Sequence, residues 1–243
     1  MPVSRLFIAT IIVAIGVAAG CARLGLWQLD RLAERRAYNA VLMSRLSEPE
    51  LSETVLPADT GVGHYRRVQV TGVLQYTREI AWAPRMRKGS PGVNVLTPLA
   101  IAGSDTLLML NRGWVYSPDA KTVDLSRWRE GDTVSVAGYV ETWPHQCLSD
   151  SADLIPLGCA DSATRTLRRL DRRAAERLVG APIAPYLLMQ TSDSALRADS
   201  VPARVETPVL DEGPHANYAF QWFAFAAIAL IGGGVLARKV QSG

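Results

Sequence analysis

Residues 218–237 carry no charge and one strongly polar side chain, Gln221. As a helix, this run of twenty rises about 30 Å, the depth of a bilayer's hydrocarbon core. A chain that must bury such a run in lipid has few folds open to it. The run is entered through Pro214, His215 and Tyr218, continues with Trp222 and Phe223, and leaves through Arg238 and Lys239. Residues 6–22 form a second uncharged run, preceded by Arg5. Three readings of it stand: a signal peptide, since Ala18-x-Gly20 is small-x-small; a lipoprotein leader ending at Cys21; and an uncleaved span. The uncleaved span is favoured. Helical apolar spacing continues through Arg23, whose stem can snorkel, into Leu24, Leu26, Trp27 and Leu29. Trp27 then sits in the interfacial aromatic belt.

Flanking charge sets an orientation. Arg238 and Lys239 follow the second run, and Asp211 and Glu212 precede it. Cytoplasmic flanks are enriched in Lys and Arg, so the C-terminus is expected in the cytoplasm, and with two spans the N-terminus too. Arg23, Arg31, Arg35 and Arg36 follow the first span and argue the other way. The cleaner C-terminal asymmetry decides. A formal net charge of +3, with Arg interleaved with Asp and Glu, gives no stripe for nucleic acid. With 48% hydrophobic and 20% charged residues in 243, the chain is neither disordered nor a many-pass transporter.

Between the runs the period changes to two. Val68, Val70, Gly72 and Leu74 alternate with Gln69, Thr71 and Val73. Further strands are expected at 79–82, stopping at Pro84, and at 93–99, 106–116 and 132–143, with a polar loop at 85–92. Residues 170–178 read as a short helix closed by Gly180. Residues 183–189 read as an edge strand, because Pro185 lacks an N–H. The expected fold is a membrane-anchored α+β chain. Two transmembrane helices flank an extracytoplasmic antiparallel β sandwich or small barrel with a short helix. Its parts are a cytoplasmic start (1–5), a first transmembrane helix (6–27), a juxtamembrane helix (28–47), the β-rich domain (48–213), a second transmembrane helix (214–237) and a cytoplasmic tail (238–243).

No catalytic constellation stands out. The three histidines, His64, His145 and His215, lie far apart, and no nucleophile elbow, HExxH or phosphate loop occurs. No enzyme is expected. His64 and His145 read as solvated loop residues. On a helix, His215, Tyr218, Ala219 and Trp222 share one face. A neutral imidazole suits haem iron and flat aromatics suit a porphyrin face. The other reading makes the aromatics ordinary belt residues, with His215 capping the helix or facing water. Asn111-Arg112-Gly113-Trp114 ends the most apolar strand. It reads as a structural terminus with a glycine bulge and a core tryptophan, or as a surface for a head group, carboxylate or partner with Arg112 as the forked donor. Cys147 and Cys159 read as a disulfide if their loop is extracytoplasmic, as free thiols, or, with His145, as a weak metal site.

Four ordered segments carry a resemblance. They are Leu24-Gly25-Leu26-Trp27-Gln28-Leu29 with Arg31; Gly89-Ser90-Pro91-Gly92 leading to Leu96-Thr97-Pro98-Leu99; Asn111-Arg112-Gly113-Trp114-Val115; and His215-x-x-Tyr218-Ala219-x-x-Trp222-Phe223. Together, between two terminal spans, they resemble the Surfeit-locus-one (SURF-one) family of cytochrome c oxidase assembly factors. The resemblance implies a two-pass protein of the bacterial inner membrane with its central domain extracytoplasmic. It implies a non-enzymatic role in maturing the haem-bearing oxidase subunit, alongside haem a biosynthesis proteins. It further implies haem a as cargo and His215 as axial ligand; the aromatic residues Trp27, Tyr218 and Trp222 are then the expected pocket walls. The rival reading is a membrane-tethered scaffold that binds an oxidase subunit or assembly partner without haem.

Overall fold

The structure is a computed structural model, and it describes residues 5–52, 56–144, 147, 155–156, 158–191 and 201–242. The expected cytoplasmic start at 1–5 lies almost wholly outside these residues, and so does His145. The chain divides into two compact units: residues 1–43 with 209–243, and residues 44–208.

The first unit is a hairpin of two long helices. Helix α1 runs unbroken through Arg5–Ser47. Its 43 residues rise about 64 Å, twice a hydrocarbon core, so its polar second half extends well beyond any span. The last helix, His215–Ser242, is the other arm. Both are long and apolar enough to cross a membrane, with mean hydropathies of 2.1 and 1.8 in their most apolar stretches. The arms are antiparallel and meet through small residues. A Cβ on Gly25 would lie 2.8 Å from the Phe223 ring, and one on Gly233 would overlap the Ala14 side chain. Glycine here lets the two helix backbones approach closely, as small residues do at helix–helix contacts.

The second unit is a β-barrel. In chain order it comprises β1 (Leu51–Ser52), the one-turn helix α2 (Thr60–Gly63), β2 (Arg67–Leu74), β3 (Ile80–Arg87), β4 (Ser90–Ala100), β5 (Leu107–Tyr116) and β6 (Thr133–Thr142). The short β7 (Ala160–Asp161) and β8 (Thr166–Leu167), helix α3 (Arg172–Val179) and β9 (Ile183–Gln190) follow, and the long second arm of the hairpin is α4. Strands β2, β6, β9, β5 and β4 pair in that circular order. Contacts Val73↔Ala100 and Leu74↔Leu99 close β4 onto β2. Closure pairs β2 with β4 and, among the described residues, leaves only the short β1 and β7 at the ends of the sheet.

The strand patterns explain the packing. β2 alternates buried and exposed, with Val68 and Val70 turned inward. β5 is buried on both faces: Leu108 and Leu110 fill the barrel with Val136, Val140 and Leu188, while Met109 packs outward in the cluster that contains Ala174 and Leu178 of α3. A strand covered on both sides reads as an apolar run. Asp171 caps α3 by accepting from Ala174 N at 2.7 Å, and left-handed Gly180 (φ 71°) ends it.

Several expectations change. The pairing is mixed, not wholly antiparallel: β9 runs parallel to β5 and antiparallel to β6. The long connection from β6 through α3 supplies the crossover that a parallel neighbour needs. β9 is therefore an interior strand, not an edge. Pro185 fits because the β5–β9 register shifts there, where no ladder N–H is required. Likewise β3 does not stop at Pro84; it passes it through a register shift between Trp82 and Arg85. Residues 85–92, expected as a loop, are mostly paired strand around a two-residue turn, Lys88-Gly89, with φ of 48° and 80°.

Candidate functional site: a histidine at the mouth of the helix hairpin

The chain enters α4 through a tight turn. Gly213 N donates to Asp211 Oδ1 at 2.8 Å, and Tyr218 N returns to Pro214 O at 3.0 Å. That turn leaves His215 as the first residue of α4, partly buried against α1. Its Nδ1 lies 2.8 Å from Gln28 Oε1. Gln28 is 9% exposed. An amide oxygen only accepts, so in this contact the ring carries a proton on Nδ1, which in the neutral imidazole leaves Nε2 as the acceptor nitrogen.

Polar contacts fix this mouth on the side away from the apolar run. Arg35 Nε and Asn39 Nδ2 both donate to Asp211 O, at 2.7 and 3.1 Å. Arg36 grips Glu212 with two bonds of 2.9 Å. The hydrogen bond from Arg36 holds the Glu212 carboxyl below its usual range. On the other side, Phe223 closes over Gly25. Thus Gly25, Gln28, Leu32 and Asn39, spaced three, four and seven apart, form one buried stripe of α1.

The expected pocket residues are not all gathered here. Ala219, 2% exposed, lies on the buried side of α4, and Trp222 is partly buried with its ring 6.0 Å from Phe225. Tyr218 is 46% exposed. Trp27 is 48% exposed, one residue off the stripe, with the Arg31 guanidinium 5.6 Å from its ring centre. The α1 residue that meets His215 is Gln28. The available signal was its spacing: a lone amide three residues after Gly25 and four before Leu32, inside an apolar run.

Asn111, Arg112, Gly113 and Trp114 lie in the barrel unit. β5 carries an extra residue opposite the Val95–Leu96 step of β4, and Arg112 is that residue. Its side chain is 1% exposed. Its fork donates to Glu79 at 2.8 Å, to Glu130 at 2.7 and 3.1 Å, and to the Trp128 carbonyl. Arg204 binds Glu130 from the other side, at 2.5 and 3.1 Å, and donates to Arg112 O at 2.9 Å. Burial pushes the Glu79 carboxyl up, only partly countered by Thr97 and Arg112. For Glu130, burial is outweighed by the hydrogen bonds from Arg204 and Arg112, which hold it below its ordinary value. Gly113 adopts φ 126°, and a Cβ there would strike the Ala203 carbonyl. Trp114 and Ala203 exchange two backbone bonds of 2.8 Å. The motif thus turns its donors inward and clamps the 201–205 segment onto β5. Asn111 Oδ1 accepts from Gly113 N at 3.1 Å, and the Trp114 indole is partly buried beside Gly92.

Cys147 and Cys159 are joined by a disulfide, with Cα atoms 5.9 Å apart. Among the described residues no group of three or more His, Cys, Asp and Glu could hold a metal ion. His64 is not simply solvated. It pairs with Glu141 and stacks on Tyr65 at 3.7 Å.

A family model described as the SURF1 family matches residues 15–227. A SURF1-like protein of Monosiga brevicollis is 24% identical over 226 residues, 89% of this chain and 83% of its own. One from Rickettsia bellii (strain RML369-C) is 22% identical over 228 residues, 90% of this chain and 87% of its own. One from Caenorhabditis briggsae is 27% identical over 125 residues, 43% of this chain and 39% of its own. The matched span begins inside α1, takes in the whole barrel and its Arg112 clamp, and ends beyond His215 and Trp222 in α4: the chain belongs to the SURF1 family, a family of oxidase assembly factors.

Proposed function

We propose that this protein matures haem-copper cytochrome c oxidase by holding haem a, with His215 as axial ligand, for insertion into the haem-bearing subunit. Haem a biosynthesis proteins are the proposed donors. The observation that carries the reading is the 2.8 Å contact between His215 Nδ1 and the buried amide of Gln28. A second partner on Nδ1 is what orients an imidazole ligand, fixes its tautomer and strengthens Nε2 as a donor to iron. The residues fit one axial bond from the protein. Trp222 and Tyr218 on α4 supply aromatic surface beside it, and Trp27 lies one residue from the stripe.

The proposed setting is the bacterial inner membrane, with α1 and α4 as spans, both termini cytoplasmic and the barrel extracytoplasmic. Arg238 and Lys239 at the end of α4 support it. So does the Cys147–Cys159 disulfide, which belongs to an oxidising compartment. Arg35 and Arg36, which opposed this orientation as bare charges, are engaged by Asp211 O and Glu212. Purification from cells that make haem a tests the reading. Wild type should co-purify with haem a, and His215→Ala should lose it. A haem-free wild type that still captures the oxidase subunit would establish the scaffold reading in its place.

A further inference from the structure

The barrel unit holds a cavity of about 530 Å³ that the proposed haem site does not use. That volume lies in the range of small-molecule pockets. It is lined by Trp82 and Arg85 of β3, by Arg168, Arg169 and Leu170 ahead of α3, and by Tyr65. The Arg85 guanidinium carbon lies over the Trp82 ring, 3.5 Å from its centre. Arg85 Nε and Trp82 Nε1 are both enclosed, and neither meets an acceptor among the described residues. A buried donor without an acceptor is costly, so two in one cavity wall call for an explanation. Burial without a carboxylate partner lowers Arg85 to about 10, which leaves it charged at neutral pH.

The other charges do not cancel this. Glu141 also lines the cavity, one carboxylate against three arginines; it lies against His64, and its Oε1 accepts from Thr142 N at 3.0 Å. The Arg168–Arg169 segment is held in place from behind. Both backbone amides donate to Cys159 O, at 2.7 and 3.1 Å, and Cys159 is tied to Cys147. The arrangement is three arginines lining a cavity with aromatic and aliphatic walls, with two enclosed donors that meet no acceptor among the described residues.

We infer that this cavity binds a small organic oxyanion, a phosphate or carboxylate carried on a flat apolar body. The anionic head takes the arginine forks, and the apolar body lies on Trp82, Tyr65 and Leu170. This inference does not depend on haem binding at His215.

Calorimetric titration of the full-length protein in detergent tests it, with phenyl phosphate, benzoate, inorganic phosphate and benzyl alcohol as probes. Phenyl phosphate or benzoate should bind, and the tighter of the two names the head group. Inorganic phosphate should bind more weakly, and benzyl alcohol should not saturate. Arg85→Gln should weaken binding about tenfold or more, and so should the exposed pair Arg168→Gln with Arg169→Gln, which leaves the core untouched. Reducing the disulfide should also weaken it. Equal binding of benzyl alcohol, unchanged affinity in the Arg168/Arg169 variant, or no saturation by either aromatic anion would overturn the assignment.

Discussion

At the scale of single residues, Arg112 and Glu130 matter as much to the barrel as His215 does to the proposed function. Arg112→Met leaves the buried Glu79 carboxylate without its ion-pair partner and Glu130 with Arg204 alone. It should cost about 3–5 kcal/mol, measured by denaturant unfolding, because an unpaired buried charge is far worse than none. Glu79→Gln should be milder than Glu130→Gln. A neutral amide still accepts from Thr97 and Arg112, and Glu79 already sits high because it is buried. Glu130 sits low, so it contributes stability that is full above its unfolded value, near 4.5, and is lost as pH falls through its folded value. Acid melting curves should therefore show stability falling below about pH 4.5, and Glu130→Gln should flatten that dependence. Equal slopes in wild type and Glu130→Gln would remove Glu130 from the account.

At the scale of elements, the 201–205 segment is held by β5. Gly113→Ala forces a side chain into left-handed backbone and against the Ala203 carbonyl. It should cost about 1–3 kcal/mol and expose the 201–205 segment to proteolysis, read by mass mapping of the fragments. Much of this level was legible beforehand. The apolar run at 218–237 had the length of a span, the alternation at 68–74 fixed its buried face, and Gly180 closed α3. Pro84 and Pro185 misled, because a missing N–H excludes a regular ladder but not a bulge, and bulges depend on the partner strand. The barrel's closing contacts were equally hidden: Leu74 and Leu99 are twenty-five residues apart, and nothing local to either one specifies the other. At the site, His215 stood out as a rare residue at a helix mouth. Gln28 did not, because its importance lies in which face of α1 turns toward α4.

At the scale of the whole molecule, the chain divides into two compact units, an apolar helix hairpin and a barrel. Residues 44–208 expressed alone should give a β-type circular dichroism spectrum and a cooperative melt, since the core clusters lie inside that unit. The helix hairpin should need detergent or lipid. Joined at the mouth of that hairpin, His215 and Gln28 are the centre of the functional account, and ligand replacement tests them most directly. The measurement is the visible spectrum of haem a bound to wild type, His215→Gly and His215→Gly with added imidazole. The account predicts that the glycine variant loses the ligated spectrum and that imidazole, filling the space left by the side chain, restores it. A His215→Gly protein that keeps the wild-type spectrum without imidazole would contradict it.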